Sequence, residues 1–256
     1  MDQSVFLHAY RGRQSALHHA SYLRMSKVLL SLRAIHRLGI DLHRASVLDF
    51  GFGAGSFFRH CPKTARLAGL EQDPRTVDEV AAMLRERGFV HVDLQAVEPA
   101  AWSTHPLLSG RYDLIHLSHV LEHLPDPAAF LTRMAACIAP GGHVLALVPL
   151  NERAQNPHHL HRVDRQVVEA WSERAGLRPV YYEEADPLGY WPQPLYTANH
   201  GWRHRAAQTL SLALGVPATL LGPERWFALS EALRSPTRSL PSQAVFALEA
   251  GARPGS

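Results

Sequence analysis

The chain has 256 residues, with 26 Lys+Arg, 23 Asp+Glu, 17 His and two Cys, giving a formal charge of +3 with histidine neutral. At 46% hydrophobic and 19% charged it is neither disordered nor fibrous and can bury a sizeable core, while two cysteines, Cys61 and Cys137, exclude a disulfide scaffold and fit a reducing compartment. The weak basic balance argues against a nucleic-acid surface, because polyanion binding needs clustered basic residues, and the histidine excess is the one compositional anomaly.

In chain order, Met1-Asp2-Gln3 has no basic region leading into an apolar core, so no signal peptide is expected. From residue 14 to Gly39 the pattern is helical, with Leu17, Tyr22, Met25, Leu29, Leu32 and Ile35 at three- and four-residue steps. Val47-Leu48-Asp49-Phe50 reads as a buried strand and runs into Gly51-Phe52-Gly53-Ala54-Gly55. A strand at 67–71 precedes a helix at 74–87, with Asp73 as cap and Pro74 in the first position. A strand at 91–97 leads to a helical segment near 99–108, and a strand at 112–117 leads to a helix at 127–138 capped by Asp126. Pro140-Gly141-Gly142 turns into a strand at 143–148. A helix at 164–175 feeds a strand at 177–183, and the last strand is 244–249.

This alternation predicts a doubly wound, seven-stranded α/β sheet with parallel strands buried on both faces. Between residues 186 and 241 the pattern gives way to a helical insertion. Its apolar stretch, 206–222, falls short of the roughly 20 apolar residues of a membrane span and fits a lid or a homodimer contact. The expected segments are an N-terminal helical cap at 1–44, a core at 45–186, the insertion at 187–240, and the last strand and tail at 241–256. A cytoplasmic, soluble protein is expected.

The glycine loop carries the chemistry. Glycines let backbone approach a ligand closely and take positive φ, and Glu71, 22 positions after Asp49, falls where a carboxylate can accept ribose hydroxyls. A dinucleotide loop G-x-G-x-x-G would need glycine at 56, where Ser56 stands. Asp49 would repel a pyrophosphate but suits the ammonium of an amino-acid moiety.

Val47 to Gly55 resembles motif I of the class I S-adenosylmethionine-dependent methyltransferases. Val120-Leu121-Glu122-His123-Leu124-Pro125-Asp126-Pro127, Ala139-Pro140-Gly141-Gly142, His159-Leu160-His161 and Trp171-Ser172-Glu173-Arg174-Ala175-Gly176-Leu177 are similar to segments of the small-molecule branch that includes ubiquinone-biosynthesis methyltransferases. The resemblance spans about residues 45–185 and implies a Rossmann-like methyltransferase sheet with S-adenosylmethionine as cofactor and S-adenosylhomocysteine as product. It implies that Asp49 and the backbone of Gly51, Phe52 and Gly53 cradle the methionine part, that Gly55 opens the helix, and that Glu71 holds the ribose. Gln72 stands where the family often has an apolar residue against adenine, Val97 lies near the adenine, and Ser118 and His119 lie beside the departing methyl group.

Methyl transfer is an in-line displacement, and a base is needed only for a protonated acceptor, a task suited to histidine. His119 is the first candidate base. His123 is read as orienting the Glu122 loop, and His116 as structural. His159 and His161, with His158, compete between acceptor orientation or catalysis, loop structure and metal ligation with Glu152 or Asp164. No H-E-x-x-H or C-x-x-C spacing supports a metal, so none is expected. Tyr190, Trp191, Tyr196, Asn199, His200 and Trp202, with Phe6, Tyr10 and Tyr22, are candidates for an apolar acceptor pocket or for core; Arg203 and Arg205 could meet an acidic substrate. The expectation is a methyltransferase acting on a small molecule, at a hydroxyl oxygen, without a nucleic-acid partner. A protein or RNA methyltransferase, a non-catalytic binding module and a dinucleotide oxidoreductase are the alternatives.

Overall fold

In a computed structural model, residues 16–152, 156, 158–190 and 202–251 are described. Helix α1 (Tyr22–Arg37) precedes β1 (Ser46–Phe50), β2 (Arg66–Glu71), α2 (Pro74–Glu86), β3 (His91–Ala96), β4 (Tyr112–Ser118), α3 (Pro127–Ala135) and β5 (Ile138–Pro149). There follow α4 (Arg165–Arg174), β6 (Leu177–Ala185), α5 (Trp202–Thr237) and β7 (Gln243–Ala250). The seven strands form one sheet in the order β3-β2-β1-β4-β5-β7-β6. Strands β1 to β5 pair in parallel, whereas β7 runs antiparallel to both β5 and β6. The expectation of an all-parallel sheet is therefore corrected at β7. An apolar run buried on both faces reads the same in either direction, so its polarity had no local signature.

Successive residues of the central strands enter opposite cores, which is why those strands read as unbroken apolar runs. Val47, Leu114, Leu145 and Val245 pack with α1, α2 and α5, against Tyr22, Leu29, Val80, Trp226 and Phe227. Leu48, Ile115, Ala146 and Phe246 pack on the other face with α3 and α4, against Phe130, Met134, Val168 and Trp171. Among the described residues, the segment between β6 and β7 is largely α5, broken at Gly222, whose φ is 72°. Tyr22 and Trp226 join α1 to α5 edge to face, with ring centroids 5.5 Å apart.

Local signals explain most element ends. Asp126 accepts from the Ala129 amide at 3.1 Å and Asp164 from the Val167 amide at 2.9 Å, each closing a helix N-terminus. Asp73 does not cap α2 with its side chain; its carboxylate accepts the Thr76 hydroxyl at 2.8 Å instead. The segment 99–108 holds two short 3₁₀ turns, Trp102–Thr104 and Pro106–Ser109, in place of a regular helix, as Pro106 cannot continue one. Helix α3 stops at Ala135, and β5 starts at Ile138 with a register shift opposite Tyr112 and Leu114. The expected turn at Pro140-Gly141-Gly142 is thus an irregularity within a longer strand.

Connections run from β1 outward through β2 and β3 on one side and from β4 to β5 on the other. The crevice between the carboxyl ends of β1 and β4 is the place where such sheets bind ligands.

Candidate active site

The loop after β1 is built on backbone conformations that side chains resist. Gly51, Gly53 and Gly55 have φ of 71°, 52° and 71°, and a Cβ on Gly55 would lie 2.6 Å from Val80 Cγ1. Glu71, at the end of β2, pins the loop: Oε2 accepts the Gly53 amide at 2.8 Å, and Oε1 accepts the Gln72 amide at 2.7 Å. Burial raises the Glu71 pKa despite those two bonds, and the Asp49 and Asp73 charges add to the rise. The Phe52 side chain is buried against Phe58, so only its backbone serves the loop. That ring rests over Gly69, where a Cβ would lie 2.7 Å from Phe52 Cδ1 and 2.8 Å from Leu94 Cδ2. Gly69 was missed by sequence reasoning, since a lone glycine in a strand carries no spacing.

Asp49 is 2% exposed, and its Oδ1 lies 2.9 Å from His116 Nδ1. His116 in turn meets Ser31 Oγ of α1 at 2.9 Å and stacks on Phe57 with centroids 4.0 Å apart. The histidine expected to be structural is thus the partner that fixes the motif carboxylate. Val97 is buried and its amide reaches the Glu71 carbonyl at 2.9 Å. Gln72 is exposed, and Ser118 is half-buried at the end of β4. Asp49, the glycine loop, Glu71, Val97 and Ser118 therefore gather at the carboxyl edge.

His119 follows β4 with a φ of 56°, and its amide continues the ladder to the Leu147 carbonyl at 2.9 Å. Its Nδ1 lies 3.1 Å from Oε1 of Glu122; the histidine side chain is 17% exposed and the glutamate 0%. Burial, then the charge of Lys27, pushes the His119 pKa down, against Glu122 and Gln243. Lys27 is half-buried on α1. Its pKa is pushed down to about 8 by burial, opposed by the charge of Glu122.

The other predicted histidines hold loops. His123 Nδ1 donates to the His158 carbonyl at 3.0 Å, His159 contacts Glu152 at 2.8 Å and Asn156 at 3.0 Å, and His161 Nε2 donates to the Leu124 carbonyl at 2.9 Å. The His161 ring also packs edge-on against Trp171, with centroids 5.2 Å apart. Glu122, His123 and His159 bring donor atoms within 4.8 Å of one another, the spacing three ligands of a cation would have. His123 and both ring nitrogens of His159 are engaged by loop groups, whereas both carboxylate oxygens of Glu122 are buried without a hydrogen-bond partner. Tyr190 is half-buried in a helical turn at Pro187–Tyr190, and Tyr22 is buried in the α1–α5 contact. Phe6, Tyr10, Trp191, Tyr196, Asn199 and His200 lie outside the described residues, as do the side chains of Trp202, Arg203 and Arg205.

A family model described as a methyltransferase domain matches residues 18–215, which takes in α1, six strands and the first part of α5. The chain belongs to the methyltransferase-domain family. Within the curated proteins, this methyltransferase-domain chain is 33% identical over 137 residues to the ubiquinone biosynthesis O-methyltransferase of Sodalis glossinidius, covering 52% of this chain and 50% of that protein. It is 31% identical over 134 residues to the enzyme of that name from Xanthomonas oryzae pv. oryzae, covering 51% of each. The chain thus matches about half the length of these relatives. Its fold is similar to coclaurine N-methyltransferase bound to N-methylheliamine and S-adenosylhomocysteine, with a TM-score of 0.63 at 13% identity over 96% of this chain and 78% of that one. It is also similar to the [4+2]-cyclase SpnF, with a TM-score of 0.57 at 17% identity over 88% and 81%. A cyclase among the neighbours shows that the fold alone does not set the chemistry.

The residues present fit S-adenosylmethionine, the cofactor that the sequence resemblance implies. The glycine cradle leaves no room for a Cβ at Gly55 and turns the Gly53 amide onto Glu71, with carboxylate lone pairs remaining for ribose hydroxyls. Among the described residues no helix is long and apolar enough to cross a membrane.

Proposed function

We propose that the chain transfers a methyl group from S-adenosylmethionine to a hydroxyl oxygen of a small molecule, with His119 taking the proton. The observation that carries this reading is the His119–Glu122 pair at the carboxyl end of β4. A buried carboxylate 3.1 Å from Nδ1 orients the ring, while the ring itself keeps 17% exposure. The arrangement has the logic of a base beside an acid, in which the Glu122 charge favours the imidazolium that forms, while Nε2 lies 3.5 Å from Gln243 Oε1. The O-methyltransferase relatives support an oxygen acceptor, and the lowered His119 pKa keeps the ring neutral near pH 7.

The bound cofactor supplies a methyl group on a sulfonium, a carbon already activated for displacement. The chain contributes alignment, worth about 7–11 kcal/mol in well-oriented systems, and a base worth about 10²–10⁴-fold. The glycine loop and Glu71 fix one reactant. Ser118 and His119 stand at the crevice between β1 and β4, where the second must approach. His159 and His161, whose ring nitrogens are bonded across the loops, shape that approach. The unpaired thiols of Cys61 and Cys137, both buried, fit a reducing, cytoplasmic setting. His119→Asn should lower kcat by about 10²–10⁴-fold while S-adenosylhomocysteine binds as before; a variant with undiminished kcat would remove His119 as the base.

A further inference from the structure

Contacts on either side of Lys27 fix its place on α1. One turn further along the helix, Ser31 Oγ donates to the Lys27 carbonyl at 3.0 Å and lies 2.9 Å from Nε2 of His116 on β4. One residue before it, Ser26 Oγ accepts from Gln243 Nε2 at 2.9 Å, and Gln243 Oε1 lies 3.5 Å from His119 Nε2. Going back along α1 from Ser31 to Ser26 therefore moves from within β4 to just past its carboxyl end. Lys27 stands level with His119, at the crevice where the acceptor must approach. The charges agree with that placement: Lys27 acts through space on His119, on His123 and on Glu122.

The side chain is half-buried, and among the described residues its ammonium makes no hydrogen bond or ion pair. The chain's other lysine, Lys63, is exposed. A charge withdrawn from water is costly unless it is paired. Neither neighbouring carboxylate supplies the pairing. Both Glu122 oxygens are buried without a hydrogen-bond partner, and Asp186 is filled by Tyr22, Ser242, Gln243 and the Gly189 amide. Their fields favour the ammonium all the same, against Arg24 on the same helix and against His119 and His123 when these are protonated. Lys27 is thus kept charged while its three donors stay uncommitted.

A hydroxyl acceptor needs such a cation. A phenolic hydroxyl titrates near about 10, whereas burial pushes His119 below the usual histidine value. A proton passing from one to the other climbs a gap of more than about three pH units. An opposite charge within about 4–6 Å lowers the pKa of an acid by about 1–3 units, which closes much of that gap. We propose that Lys27 is a catalytic residue for the methyl transfer, its ammonium pairing with the oxygen of a phenolic acceptor as that oxygen gives up its proton. This rests on the reading of a hydroxyl acceptor, and not on which ring nitrogen of His119 bears hydrogen. The O–H proton leaves, to His119 in that reading, and the oxyanion pairs with Lys27. The new O–C bond then forms as the C–S bond breaks with its electron pair left on sulfur. Methylation discharges the oxygen, so the ether product loses its ion pair and is released.

The probe is 4-nitrophenol, whose phenolate absorbs visible light, added to the full chain saturated with S-adenosylhomocysteine. The expected result is a bound probe that ionises about one pH unit below the free probe, a tenfold gain in phenolate. Lys27→Met should abolish that gain and Lys27→Arg keep it, with S-adenosylhomocysteine bound as in wild type. Should Lys27→Met fail to fold, acetic anhydride on the wild type gives the second measurement. With two lysines in the chain, mass spectrometry should find Lys27 protected by the probe and Lys63 not. A wild type that takes up no phenolate, a bound probe with the same midpoint in wild type and Lys27→Met, or Lys27 acetylated as fast with the probe as without it overturns the proposal. Wild-type protein that fails to bind S-adenosylhomocysteine strikes the methyl-transfer reading instead.

Discussion

Replacing Glu71 with glutamine keeps the length of the side chain and removes one of the two acceptors that hold the glycine loop. The carboxylate serves the Gly53 amide at 2.8 Å through one oxygen and the Gln72 amide at 2.7 Å through the other. An amide has one oxygen, so its NH₂ must confront one of those N–H groups. A hydrogen bond to a charged group contributes about 1.5–3 kcal/mol, and at about 1.4 kcal/mol per tenfold the expected loss of S-adenosylhomocysteine affinity is roughly 10- to 100-fold. Calorimetry measures it directly. The pH dependence adds a second readout. Burial raises the Glu71 pKa, the ionised form is the one that accepts hydroxyls, and so wild-type affinity should fall on acidification at a higher pH than for an ordinary glutamate. The variant should lack that dependence. Affinity within about twofold of wild type, with the same pH profile, would refute the assignment of Glu71 to the loop and the ribose.

Gly69→Ala should lower thermal stability by about 1–3 kcal/mol and weaken S-adenosylhomocysteine binding together, because the new Cβ pushes Phe52 beneath the loop; a melt and a titration that match wild type would show the contact to be slack. His19, 6% exposed and 2.9 Å from Ser56 Oγ, has its pKa lowered from 6.5 to about 4, by burial first and then by Arg59 and Arg24. Its unfolded form takes a proton that the folded form refuses, so the contribution is complete above pH 6.5 and is lost as pH falls toward about 4. Melting temperatures across that window should drop less for His19→Gln than for wild type, and parallel curves would contradict the assignment.

Much of this was legible in the sequence because the signals were local. Strands buried on both faces read as continuous apolar runs, and the loop from Gly51 to Gly55 announced itself by spacing. So did Glu71 at the end of the next strand, although the helix expected to open at Gly55 is only a 3₁₀ turn at Phe58–His60. What stayed hidden was long-range pairing. Gln243 lies 124 positions from His119, and no periodicity joins them. His116 carried no mark that it faces Asp49 from the adjacent strand, and the antiparallel course of β7 is invisible to a pattern that has no direction. The histidine excess, a question about metal or catalysis at the level of composition, resolves into separate tasks: His116 on Asp49, His123, His159 and His161 on the loops, and His119 beside Glu122.

The most direct test of the central claim is product analysis by mass spectrometry, with S-adenosylmethionine and a panel of phenols, amines and carboxylic acids. The account predicts a phenol or other hydroxyl compound that gains one methyl group on oxygen, with S-adenosylhomocysteine formed in equal amount and the yield abolished or sharply reduced in His119→Asn. Transfer to nitrogen alone, or transfer to oxygen that does not change in His119→Asn, would contradict it.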